Sequence, residues 1–144
     1  MTYILIAVAA LMFGLYNVFI KLSADHIHAV LGAVVLQFVA AFMGLAWLLW
    51  LQASQAGELQ YSSRGLTLAA LAGIAIGLVE ILTFFVYGRG LPVAVGNPLI
   101  IGGSLLVTTG VGVLLLREAL SPLQLLGVGL IGLGIALFAW DAAR

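Results

Sequence analysis

Five apolar runs of roughly 20 residues follow one another along the chain, at about 3–22, 28–51, 65–87, 92–116 and 122–140, with short polar dividers between them. A hydrocarbon core about 30 Å thick takes an apolar helix of about 20 residues to cross. Backbone in lipid must satisfy its own N–H and C=O groups, and a run of this length does so as a helix. The sequence therefore predicts an all-α integral membrane protein, a single membrane domain over 1–144 with five transmembrane helices. Charge agrees with this: the chain is 65% hydrophobic and 7% charged, with a mean hydropathy of +1.30, whereas a soluble domain is about a quarter charged. Five Lys/Arg and five Asp/Glu cannot cover a water-exposed surface.

The same scarcity excludes several function classes. Net charge is zero, so there is no basic footprint for nucleic acid and no polybasic patch for anionic headgroups. With no cysteine and only His26 and His28, neither thiolate chemistry nor a histidine metal cage is expected. No phosphate-binding loop, dinucleotide fingerprint, His-Glu-x-x-His or Gly-x-Ser-x-Gly occurs. Neither an enzyme nor a cofactor is expected.

The dividers carry nearly all the charge: Lys21 to His28, Gln52 to Gly65, Gly88-Arg89-Gly90, Arg117 to Ser121, and the tail from Asp141. The first apolar run lacks a preceding basic stretch and a following small-residue cleavage site, so helix one is expected to stay in the mature protein. The connection over 52–64 is the longest and is expected to be the most mobile. Ser121-Pro122-Leu123-Gln124 fits an N-cap serine, a first-turn proline and a capping-box glutamine, which places the start of helix five. Trp47, Trp50 and Trp140 fall near span ends, where amphipathic rings favour the headgroup zone.

Orientation is weakly specified. With the amino terminus in the cytoplasm, Arg64 and Arg117 lie inside while Lys21, Arg89 and Arg144 lie outside. Positive residues near span ends set topology, and here they nearly cancel. The expectation is a chain that inserts both ways and pairs as an antiparallel homodimer, against the alternative that a partner fixes one orientation. An odd number of spans means that two fused copies of such a unit would run in opposite directions, as in the inverted repeats of many secondary transporters. The chain reads as one inverted-repeat half-unit completed by antiparallel dimerisation.

Polar residues inside the spans are the candidate site. Glu80 is the one carboxyl group deep in a span. An intramembrane acid costs a few kcal/mol and normally faces a cavity or a partner, so Glu80 is the candidate for binding a proton or substrate. Ala69, Gly73 and Gly77 recur every four residues, and Glu80, Thr83 and Tyr87 continue close to that face, either as a close-packing seam or as a cavity wall. On helix one, Gly14, Asn17 and Lys21 form a second polar line. Lys21 is expected to reach the interface; Asn17 either bonds across helices or touches substrate, and Gln37 is similarly open. Helix four opens with Pro92, Gly96, Asn97 and Pro98, where a kink or break is expected. Gly96 and Pro98 are the candidate hinge, with Asn97 offering polar atoms to the cavity. Ser104, Thr108 and Gly112 form a further small-residue ridge. Gly127, Gly129, Gly132, Gly134 and Ala136 give helix five a close-packing or dimerising surface.

The stretch Leu116-Arg117-Glu118-Ala119-Leu120-Ser121-Pro122-Leu123-Gln124, running through Gly127 to Gly134-Ile135-Ala136-Leu137, resembles the closing helices of EamA-type proteins of the drug/metabolite transporter superfamily. Phe13-Gly14-Leu15-Tyr16-Asn17-Val18-Phe19-Ile20-Lys21 resembles that family's first helix with its closing lysine, and Gly88 to Thr109 resembles the junction of its third and fourth helices. The resemblance covers nearly the whole chain, with one five-helix unit where many members carry two. Small multidrug resistance proteins, four-helix relatives, carry an essential glutamate on helix one about two turns before the lysine. Here Phe13 stands near that place, and Glu80 is on another helix. The resemblance implies a secondary transporter of a small amphipathic or polar metabolite in a bacterial or archaeal plasma membrane; the site of Glu80, Asn17, Tyr87 and Asn97 is read from the residues themselves, because the relatives' glutamate position does not carry over to this chain. The alternatives are a non-transporting membrane subunit of a larger complex and a flippase for a lipid-linked metabolite.

Overall fold

The computed structural model describes residues 1–54, 59–142 and 144. Among them the chain is helical throughout: α1 (Thr2–Ala24), α2 (Ala29–Ala53), α3 (Ser63–Gly88), α4 (Val93–Leu114) and α5 (Pro122–Ala142). Each is long and apolar enough to cross a membrane; α5, with 21 residues, is the shortest and at about 1.5 Å per residue still exceeds a core of about 30 Å. The sequence-based spans match these helices to within two residues at each end. Part of the 52–64 connection, expected to be mobile, lies outside the described residues.

The chain divides into two compact units, Met1–Gly90 and Leu91–Arg144. In the first, α3 packs against both α1 and α2, which touch one another less. Residues without side-chain bulk decide how closely α3 approaches α2: the Phe84 ring lies over Gly32, in the space a Cβ would need, and the Gln37 amide lies against Gly77. Small residues allow such approach where lipid gives no hydrophobic drive for helices to associate. Gly73 has nothing within contact distance and Ala69 is exposed, so the seam read from Ala69 to Gly77 is used within the chain at Gly77. The Ser62 hydroxyl accepts from the Gly65 N–H at 3.0 Å and caps α3. At the other end Gly90, with φ +90°, donates to the Tyr87 carbonyl at 3.0 Å and closes the helix.

The second unit is the α4–α5 hairpin. The Ile135 side chain occupies the place of a Cβ on Gly102, and Leu106 meets Gly132. Two of the small-residue positions are therefore internal packing, while Gly127, Gly129 and Gly134 remain open. Ser104 and Thr108 bond back to carbonyls of their own helix. The α4 end is turned by Arg117 in the left-handed region at φ 56°, with Glu118 N–H donating to the Gly112 carbonyl at 3.0 Å. The capping box forms as read: Ser121 N–H donates to Gln124 Oε1 at 2.7 Å, and Gln124 N–H donates to Ser121 Oγ at 3.2 Å.

Of the kink or break expected near Gly96 to Pro98, no break occurs. α4 runs uninterrupted from Val93 through Pro98. Pro98 stands early in the helix, so the one rung it removes is to Ala94 in the opening turn, and the remaining ladder is intact.

Candidate functional site

The interior of the first unit is unusual for so apolar a chain. Ile20, Ala33, Phe84 and Tyr87 share it with Asn17, Glu80 and Thr83. Lipid solvates apolar side chains as well as protein does, so the polar groups are the ones with most to gain from leaving the hydrocarbon.

The α3 side of the site is set by helical periodicity. Glu80, Thr83, Phe84 and Tyr87 lie three and four residues apart and all are buried. Glu80 is 2% exposed and Tyr87 0%. Neither Glu80 Oε2 nor the Tyr87 hydroxyl has a hydrogen-bond partner among the described residues. A charged carboxylate left this way in hydrocarbon costs several kcal/mol. The position calls for a proton, a donor or a cation.

The α1 side is fixed by Lys21, whose ammonium donates to the Tyr87 carbonyl at 2.9 Å and reaches Asp25 at 3.8 Å. Lys21 therefore sits at the carboxyl end of α3, where the helix dipole favours a cation, rather than pairing with Glu80. Asn17 is buried, but its amide donates to the Phe13 carbonyl of its own helix at 2.8 Å, not across to a neighbouring helix. Tyr16, beside it, has the role that sequence reading did not assign: its hydroxyl neighbours the Glu80 carboxyl and Tyr87. A signal for this existed. Tyr16 and Glu80 are each eight residues before the end of their helix, and α1 and α3, separated by two reversals, run the same way.

Between α1 and α2 the first unit carries an open groove of about 940 Å³, within the size range of ligand pockets. Met12, Leu15, Phe19, Val35 and Val39 line it, Gly32 and Phe84 contribute to its floor, and Tyr16 belongs to its wall. Tyr16 thus joins an apolar groove to the Glu80 carboxyl.

In the second unit Asn97 is half-buried on α4, and its Oδ1 has no hydrogen-bond partner among the described residues. Gly96, beside it, is buried. Glu118 folds its carboxylate over Gly112. No group of three or more His, Cys, Asp or Glu able to hold a metal ion occurs among the described residues.

Comparison with known protein families, with curated proteins and with solved structures finds no match to this chain.

Proposed function

We propose that the protein is a secondary transporter of the drug/metabolite transporter type, moving a small amphipathic or polar metabolite across a bacterial or archaeal plasma membrane. The observation that carries this is Glu80: a buried carboxyl with one unpartnered oxygen, flanked by Tyr16 and Tyr87, in a helix that crosses the membrane. Glu80 binds substrate and proton in exchange, and Tyr87 and Asn17 line the path. In the second unit Asn97 is the candidate polar contact for substrate, and Gly96 with Pro98 is where α4 bends during the cycle. The near balance of positive residues across the loops supports insertion in both orientations, and the open glycines Gly73, Gly127 and Gly134 leave room for close approach by a second copy. An antiparallel homodimer then completes what one half-unit begins.

The groove favours a related second reading, a flippase for a lipid-linked metabolite, because it is open and almost wholly apolar. Purified protein in liposomes, screened for substrate-driven proton movement alongside Glu80→Gln, tests the proposal. Coupled flux in the native protein that is lost in a folded Glu80→Gln variant supports it. Equal coupled flux in the variant removes Glu80 from the mechanism, and no flux in either points to a non-transporting subunit.

A further inference from the structure

We propose, building on the transport reading above, that the first unit binds a single-chain amphiphile, its N–H- or O–H-bearing head at Tyr16 and Glu80 and its hydrocarbon tail in the α1–α2 groove. Three observations converge. Glu80 Oε2 is buried and accepts from nothing among the described residues, so it selects a head that brings its own donor. The groove, which Tyr16 lines and Glu80 does not, is apolar almost throughout. Tyr16 is common to both, with the ring in the groove wall and the hydroxyl at the carboxyl. A purely polar solute would leave the groove unused, and an ordinary lipid anchored at the headgroup zone would leave Glu80 unmet.

The groove bounds the length of the tail. The groove follows α1 from Met12 to Ser23, about 16 Å at about 1.5 Å per residue, which is close to half of a hydrocarbon core of about 30 Å. It runs from the middle of α1 toward the α1–α2 turn, within a single leaflet. Tyr16 lies within that span, about 6 Å from its deep end and about 10 Å from the turn, so a tail whose head is at Tyr16 follows the groove toward the turn; Glu80, 2% exposed and not among the groove residues, meets the head when the Tyr16 side chain gives way.

The probe is dodecylamine carrying a photoreactive group at the chain end, applied to the protein in phosphatidylcholine nanodiscs. The expected result is saturable labelling of the groove faces of α1 and α2. Unlabelled dodecylamine displaces it, whereas butylamine, which lacks the tail, and dodecyltrimethylammonium, which lacks a donor, compete at least tenfold more weakly. Val39→Trp, a lipid-facing change that fills the groove, abolishes saturable labelling. Tyr16→Phe, which keeps the ring, weakens displacement by dodecylamine by about tenfold and narrows its advantage over the quaternary compound. Labelling that rises in proportion to probe and is not displaced is ordinary lipid contact and overturns the assignment, as does equal competition by dodecyltrimethylammonium. Saturable labelling without flux leaves the binding site standing and removes the transport reading. Coupled flux of a short-chain solute, unchanged in Val39→Trp and with no saturable labelling, does the reverse.

Discussion

The Lys21 ammonium on α1 donates to the Tyr87 carbonyl on α3 at 2.9 Å, and this one bond sets the register of two parallel helices. One to two turns deeper, the same register brings the Tyr16 hydroxyl to the Glu80 carboxyl. The pairing is between helices one and three in sequence, so it depends on the length of α2 and of both connections without using any of their residues.

If Lys21 holds that register, Lys21→Met removes a hydrogen bond from a charged donor and a favourable dipole contact together. The expected loss is about 1–2 kcal/mol of stability, read as a lower thermal midpoint in detergent, with Lys21→Arg recovering most of it. A midpoint unchanged in Lys21→Met would show that the bond is not made in the bilayer.

Gly32 gives the α2–α3 contact a sharper test. The Phe84 ring occupies the space of a Cβ on Gly32, so Gly32→Ala forces the ring or the helix to move, at about 1–3 kcal/mol. Phe84→Leu in the same chain is expected to relieve part of this. Double-mutant-cycle thermal melts measure the coupling, and strictly additive losses would contradict direct contact.

How much of this was legible in the sequence differs between residues for a physical reason. Helix number and helix ends were readable because a bilayer demands about 20 apolar residues in a row, and the Ser121–Gln124 capping box was readable because it is local. Faces were not. Lipid and protein interior are both apolar, so hydrophobic periodicity does not say which side of α3 meets α2, and the ridge from Ala69 through Gly73 is open while Gly77 alone meets Gln37. Glu80 stood out because hydrocarbon makes a carboxyl expensive. Tyr16 did not, since a tyrosine in an apolar run draws no notice until its partner's depth is known. At Pro98 the helix continues unbroken, because a proline this early in a helix removes a single rung near its opening turn.

The capping box predicts a local effect. Gln124→Ala removes the acceptor of the Ser121 N–H at 2.7 Å and is expected to cost about 1 kcal/mol at the start of α5. Amide exchange should quicken over residues 121–125 while the first unit keeps its protection. Unchanged exchange there would show that the cap does not hold α5.

Orientation can be read without background, because the chain has no cysteine. A single cysteine placed at Ser54, on the exposed end of α2, should react with a membrane-impermeant maleimide from outside intact cells in roughly half of the copies. Reaction of all copies or of none would mean one fixed orientation and would end the antiparallel homodimer.

The role of Glu80 is tested most directly by infrared difference spectroscopy of the protein in lipid, with and without a transported compound. A change in the protonated-carboxyl band on addition, absent from Glu80→Gln, is expected if Glu80 exchanges its proton for substrate. A band that stays the same on addition, or a change that persists in Glu80→Gln, would contradict it.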